Sequence, residues 1–395
     1  MNLNRRGFLI AASTAAMTVS RPAKGYAQMA PKKYKACIIG DSKQGGYGHC
    51  IHLAFAPRDD VAVVAVADPD EAGRSKYAAD AGAPRTYADY REMLEKERPD
   101  LVGIGPRWTV SHEDYLLACA EAGAHGLIEK PLCVDLEEAD RMVAAIERKD
   151  LKWGIAFNAR ATPLISHLKR LLWDEGLIGE VLEARGRGKE DHRAGGEDLI
   201  VLGAHALDMM AYLLDGPPAW CFADITCKGK RAVPADVREP TEPLGPVVGD
   251  RIHAVYGFNH GVTGYFASMS NPHGNGGRFG LDLYGSKGIV TIRIGAVPAV
   301  YWIDDPTWAP GGREAAWKPL PGAPDCSALE QPRQRNKPIV DDLIAAIEEG
   351  REPAVSLRDG RIAQEMIQAV FASHVQGQRV AIPLEKRAHP LKGWG

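Results

Sequence analysis

KACIIGDSKQGGYGHCIHLAFAPRDDVAVVAVAD, residues 35–68, decides the fold. Lys35 to Gly40 is a short apolar run ending in glycine, the pattern of a strand buried on both faces of a parallel sheet. Gly45, Gly46 and Gly48 then crowd a turn, and His49 to Ala56 reads as the start of a helix that Pro57 ends. A second apolar run, Val61 to Ala67, closes on Asp68. Strand, glycine turn, helix, strand and acid together form a dinucleotide site. Glycines let the backbone approach a pyrophosphate, and a helix N-terminus offers it N–H groups and a positive dipole end. A carboxylate ending the second strand accepts from ribose hydroxyls. Asp68 lies 20 residues beyond Gly48, as that arrangement requires. It would repel a 2′-phosphate, so NAD is expected and NADP is disfavoured. The glycines at 40, 45, 46 and 48 make a turn about two residues longer than G-x-G-x-x-G.

Working outward, the alternation continues. Helices are predicted over 87–96, 112–122 and 136–148, and strands over 100–105, 124–129 and 151–156. This is a doubly wound α/β sheet whose ligands lie at the strand carboxyl ends. From Glu180 the pattern changes to strands at 181–187, 219–228, 251–258, 261–269, 278–284 and 288–294. Turn residues at 259–261 and 285–288 separate the later ones. The chain therefore divides into an NAD-binding Rossmann domain, 33–156, and a substrate-binding and oligomerisation domain, 157–384. The latter is α+β with a large, mostly antiparallel open sheet. The 271–277 loop is explained equally by turn chemistry or by a cover over the site.

Residues 1–27 read differently. Arg5-Arg6 precedes a weakly apolar stretch, and Gly25-Tyr26-Ala27 supplies small residues for a signal peptidase. The reading is a twin-arginine signal and a periplasmic location, with no inserted segment after its removal, because the stretch is too short and polar to span a membrane. The net charge of −3 gives no reason to expect nucleic acid as a partner. The seven cysteines form no Cys-x-x-Cys pair. Cys221 and Cys227 would share a strand face roughly 20 Å apart, too far to bond.

Glu129-Lys130-Pro131, placed directly after a strand, is the most telling tripeptide. Together with the nucleotide loop, Pro106 and His112, the segment Gly195–Asp208 and the C-terminal ending, it makes the chain resemble the Gfo/Idh/MocA family from Lys35 to Leu384. The resemblance implies oxidation or reduction of a sugar, glycoside or cyclitol hydroxyl by hydride transfer, with an exposed sheet face that commonly joins subunits into a homo-oligomer. Cofactor contacts are then expected from Gly40, Gly45, Gly46, Tyr47, Gly48, Asp68, Pro106, Arg107, His112, Glu129, Lys130 and Asn158. Lys130 matches the family lysine beside nicotinamide and substrate, and it is expected to work as acid or base.

His205 is the second expected catalytic group. The family usually carries an Asp four residues earlier, one helical turn away, but this chain has Val201 there. Two readings stay open: Asp198, two turns before His205, replaces the carboxylate, or the chemistry differs. His205 as a histidine that simply fills the core is a further alternative. Arg160, Asp191, His192, Arg193 and Asp208 are candidates to face substrate hydroxyls, with Asp208 also able to support His205 from one turn on. A metal held by Glu190, His192 and His205 fits no recognised ligand spacing, so none is expected. The alternatives to a dehydrogenase are redox-neutral, NAD-assisted glycoside cleavage through a keto-sugar, and a non-catalytic sugar-binding protein. Retention of Lys130 and His205 argues against the last.

Overall fold

The computed structural model describes residues 34–271, 276–309, 311 and 315–394. The expected signal segment and the middle of the 271–277 loop lie outside these residues. The first sheet contains β1 (Tyr34–Ile39), β2 (Val61–Ala67), β3 (Arg85–Tyr87), β4 (Leu101–Ile104), β5 (His125–Ile128) and β6 (Trp153–Ile155). All pairs are parallel and the spatial order is 3-2-1-4-5-6, the doubly wound order of dinucleotide-binding folds. The apolar runs form its middle because both faces are covered: Ile38, Val66, Val102 and Leu127 are fully buried. Burial of each such side chain stabilises by about 1.5–3 kcal/mol.

The helices are α1 (Glu71–Ala81), α2 (Tyr90–Glu97), α3 (His112–Glu121), α4 (Leu136–Glu147) and α5 (Pro163–Trp173). Helix α1 has no counterpart in the sequence reading, because EAGRSKYAADA carries too thin an apolar stripe. Its start is nevertheless signalled: the Asp70 carboxylate accepts from the Gly73 amide at 2.9 Å. Helix α2 begins three residues later than expected, since Tyr87 ends β3 and Asp89 caps the helix. The helix expected from His49 is instead a short 3₁₀ segment, Gly48–Leu53, in which His49 and Cys50 adopt φ of 42° and 58°.

The second sheet is mixed. Its strands are β7 (Val181–Arg187), β8 (Trp220–Cys227), β9 (Lys230–Arg231), β10 (Arg251–Gly257), β11 (Thr263–Met269), β12 (Gly280–Gly285), β13 (Ile289–Arg293), β14 (Ala299–Ile303), β15 (Lys318–Pro319) and β16 (Val380–Ala381). The order is 15-14-13-12-7-11-10-8-16, with β9 on β8; β7 and β11 are parallel and the other pairs antiparallel. One face is packed by α7 (Ala204–Leu213) and α9 (Leu357–Gln376). A one-turn helix, α6 (Gly196–Asp198), leads through a π-helical turn, Leu199–Gly203, into α7. Helix α8 (Lys337–Glu349) returns to the first sheet: Ile339, Val340 and Ile344 share a core cluster with Ile38, Leu101 and Leu127. The division at residue 156 is thus crossed by packing from the end of the chain. All seven cysteines are free.

Candidate active site

A cavity of ≈ 470 Å³ opens at the carboxyl edge of the first sheet, where parallel strands place their loops. The glycine turn supplies Gly45, Gly46 and Gly48 to its wall; Arg107, Glu129 and Lys130 come from the loops after β4 and β5, and Val201 and Leu202 from the π turn. The turn fits a close backbone approach. Gly45 and Gly46 have φ of 90° and 67°, and a Cβ on Gly48 would fall 1.8 Å from Glu129 Oε1. The Arg107 Nε donates to the Gly45 carbonyl at 3.1 Å.

Asp68 is buried at the end of β2, where the sequence puts it. Its Oδ2 accepts from the Ser42 amide (3.0 Å), the Ser42 hydroxyl (2.6 Å) and the Tyr47 hydroxyl (3.0 Å), and its Oδ1 accepts from the Asp70 amide. The Tyr47 ring stacks on Tyr77, with centroids 3.7 Å apart, and occupies the space that a Cβ on Gly40 would need. Tyr47 therefore lines the cavity and covers Asp68, rather than leaving the carboxylate open to a ribose.

Lys130 lies nine-tenths buried at the cavity wall, and its Nζ donates to the Val201 carbonyl at 2.8 Å. Burial lowers its pKa, against the pull of Glu129 and Glu242. The position lacking a side-chain carboxylate thus faces Lys130 with a backbone carbonyl. Glu129 is fully buried. One oxygen pairs with His49 Nδ1 at 2.6 Å and the other accepts from the Lys130 amide at 2.6 Å. Burial raises its pKa, but His49 and Lys130 outweigh it, and the carboxyl sits below the usual range.

Several expected site residues stand elsewhere. His205 is not on the cavity wall. It packs behind His49 at 5.4 Å between centroids, edge-on, and against Phe157 and Phe279. Its Nδ1 is buried without a partner, and burial holds its pKa well below the usual histidine range, so the ring is neutral. Asp198 is no free proton acceptor. Its carboxylate accepts from the Lys189 and Glu190 amides and from the Ser268 hydroxyl, which fixes the turn after β7. Burial pushes its pKa up, and those donors oppose the shift.

Arg160 and Asp208 face each other at 2.8 Å, both fully buried, and Arg160 also pairs with Asp359 at 2.9 Å. This ion pair ties α7 to α9 and touches neither the cavity nor His205. His112 is fully buried between the Pro106 and Leu132 carbonyls, so Pro106 and His112 staple the loops after β4 and β5 instead of lining the site. Asn158 Nδ2 donates to Asn336 Oδ1 at 2.6 Å, and Asn336 Nδ2 to the His49 carbonyl at 2.8 Å. Asn158 reaches the site only through that relay. Of the 191–193 trio, Arg193 lines the cavity, Asp191 binds Arg193, and His192 is exposed. The Asp191 carboxyl is lowered to about 2 by Arg193. Glu190 is held by Arg187 and Arg278. Among the described residues no group of three or more His, Cys, Asp or Glu is arranged to hold a metal.

The sequence reading missed His49, Tyr77, Glu242 and Arg335, which also line the cavity. His49 was legible in one respect: it directly follows the last glycine of the phosphate turn.

Two family models match. Residues 35–157 match the oxidoreductase family's NAD-binding Rossmann fold, and residues 180–382 match its C-terminal alpha/beta domain. The chain belongs to the Gfo/Idh/MocA oxidoreductase family. Its first domain is an NAD-binding Rossmann domain. Among relatives of this Gfo/Idh/MocA member, the levoglucosan dehydrogenase of Pseudarthrobacter phenanthrenivorans is 28% identical over 58% of this chain and 64% of its own length. The chain therefore spans a little under two thirds of that relative. The myo-inositol 2-dehydrogenase of Thermotoga maritima is 25% identical over 77% of this chain and 86% of its own. A crystal structure of an oxidoreductase domain protein from Kribbella flavida superposes with a TM-score of 0.70 at 25% identity, covering 89% of this chain and 100% of that one. Levoglucosan dehydrogenase in complex with NADH and levoglucosan shares the fold, with a TM-score of 0.69 at 21% identity and 89% and 100% coverage.

Proposed function

We propose that this protein is an NAD-dependent dehydrogenase of a sugar, glycoside or cyclitol hydroxyl, and that it holds its cofactor tightly. The observation that carries this reading is the meeting of Gly45, Gly46 and Gly48 with Lys130 in one cavity at the carboxyl edge of the first sheet. The glycine turn and Arg107 would hold the pyrophosphate, and the Tyr47–Asp68 corner the adenosine ribose. Bound NAD supplies the hydride acceptor. Lys130, buried at the cavity wall with its Nζ a hydrogen-bond donor, is suited to hold the alcohol oxygen as it becomes a carbonyl. The relatives named for levoglucosan and myo-inositol support a polyol substrate. The test is mass spectrometry of nucleotide released from the purified protein, with a polyol panel followed at the NADH absorbance. Bound NAD and its reduction by one class of polyol are expected; a nucleotide-free preparation that reduces no NAD⁺ sinks the reading.

The absence of a side-chain acid at Val201 keeps redox-neutral glycoside cleavage as a second reading. A keto-sugar accumulating free in solution counts against it. Export through the Arg5-Arg6 signal would explain a need for tight cofactor retention, since free NAD is scarce outside the cytoplasm. Among the described residues no helix is long and apolar enough to cross a membrane.

Subunit association through the open sheet face completes the proposal. Paired register positions carry one row across that sheet: Phe222, Val255, Tyr265, Arg185, Asp282, Thr291 and Tyr301. Phe222, Tyr265 and Tyr301 are exposed aromatics in this row. Sedimentation of wild type against Tyr265→Arg tests it; a monomeric wild type removes it.

A further inference from the structure

Among the described residues His49 is the one histidine on the cavity wall, and its setting is built rather than incidental. Its backbone lies in the left-handed region, as does that of Cys50, a conformation that costs about 1–3 kcal/mol for non-glycine residues. The buried Asn158–Asn336 relay holds its carbonyl. Its Nδ1 is fixed on the fully buried Glu129, while the side chain remains about one-quarter exposed. A donor Nδ1–H on Glu129 leaves Nε2 as the acceptor, the logic by which a carboxylate orients a histidine base.

The other groups on the wall are less suited. Lys130 Nζ points its proton at the Val201 carbonyl. Both Glu129 oxygens are engaged. Glu242 lines the cavity, but among the described residues no hydrogen bond orients its carboxylate. His205 is shielded behind the His49 ring.

Resting on the dehydrogenase reading above, we propose that His49, oriented by Glu129, is the proton acceptor that stands in for the carboxylate missing at Val201. In the oxidation direction the hydroxyl O–H bond breaks and its proton goes to His49 Nε2. The carbinol C–H pair leaves as hydride to NAD⁺, and the substrate becomes a carbonyl compound. The imidazolium then returns the proton to water through its exposed edge, so that alcohol and NAD⁺ yield carbonyl, NADH and H⁺. Glu129 is a positioning residue: it sets the tautomer and stabilises the imidazolium.

His49 accepts only as the neutral imidazole, so an acid limb in the rate of hydride transfer is expected. The charged and titratable groups facing it are Glu129 and Lys130 from the loop after β5, Arg107 after β4, His205 from α7, Arg335 before α8, and Arg193 and Glu242 from loops of the second domain.

The experiment is single-turnover NADH formation across pH, using a polyol that reduces NAD⁺, with NAD⁺ binding measured in parallel by fluorescence. His49→Asn, tolerant of the left-handed backbone, should lose about 10²- to 10³-fold in hydride transfer. It should bind NAD⁺ within threefold of wild type and lose the acid limb of the profile. Glu129→Gln removes the charge that stabilises the imidazolium and should displace that limb toward acid pH. Adding Val201→Asp to His49→Asn should restore part of the rate. An unchanged rate and acid limb in His49→Asn overturns the proposal, and so does loss of NAD⁺ binding in that variant. Flattening of the limb by Glu242→Gln instead also overturns it. If wild type reduces no NAD⁺ with any polyol, the dehydrogenase reading falls. The His49 assignment is then judged by histidine NMR of the NAD⁺ complex: a neutral ring protonated on Nδ1, with Nε2 bare, supports it, and a ring protonated on Nε2 ends it.

Discussion

The two ends of the cavity are built on opposite principles. At the Asp68 end the acid itself is saturated: four donors meet one buried carboxylate, and Tyr47 closes over it. At the Lys130 end satisfaction is incomplete. His205 keeps a buried, unpartnered nitrogen, Val201 offers only its carbonyl, and His49 sits in a strained backbone. A binding corner can be closed by the protein itself and opened by a ligand of equal hydrogen-bonding capacity. A reacting corner needs groups free to change their proton count, so it tolerates costs that a binding corner does not.

Breaking the reacting end should give the largest effect. Lys130→Ala is expected to lower hydride transfer by about 10²–10⁴-fold while NAD⁺ still binds. Single-turnover NADH formation and fluorescence titration measure the two, and an unchanged rate removes Lys130 from the chemistry. Next comes Asp198, which the comparison assigns to scaffolding. Asp198→Ala leaves two backbone amides and a buried hydroxyl unpartnered and should cost about 2–4 kcal/mol in urea unfolding. If Asp198→Asn instead abolishes the acid limb of the rate profile while the protein stays folded, Asp198 belongs to the reaction.

The unsatisfied histidine also predicts a pH dependence. Burial depresses the folded-state pKa of His205, and it depresses those of His52 and His389 to about 4. Below the unfolded value of about 6.5, the unfolded chain binds protons that the folded chain refuses. Stability is therefore full above about pH 6.5 and falls as pH drops toward the folded values. The slope is about 1.4 kcal/mol per pH unit for each such histidine at most. Urea midpoints at pH 7, 6 and 5 measure it, and a flat profile contradicts the burial of these rings.

The smallest expected effect is at the closed end. Tyr47→Phe removes one of the donors competing for Asp68 Oδ2, worth about 1 kcal/mol, so NAD⁺ should bind up to about fivefold tighter by calorimetry. Weaker binding would mean that Tyr47 contacts the nucleotide instead of merely covering Asp68.

Much of this was legible from residue order, because local rules generate it. Apolar runs bounded by turn residues, such as Val61 to Ala67, read as buried strands, glycines at 45, 46 and 48 read as a tight turn, and Asp68 ends a strand by position. Helix α1 was not legible, since its surface residues carry little periodicity. Nor was the role of α8, whose apolar face fits either sheet until the chain is folded.

The sequence by itself determined the two-sheet plan, the nucleotide turn and the placing of Lys130 after β5. It also showed that Val201 carries no acid. Only the tertiary structure decided what surrounds Lys130. The π turn shifts the facing residues away from the four-residue spacing of an α-helix, so Val201 presents a carbonyl and Asp198 turns to Ser268. Arg160 and Asp208 moved from candidate substrate contacts to a buried ion pair because α9, far along the chain, brings Asp359 to them. His49 joined Glu129, 80 residues away, for the same reason: the carboxyl ends of β1 and β5, on either side of β4, come together only after the sheet has formed.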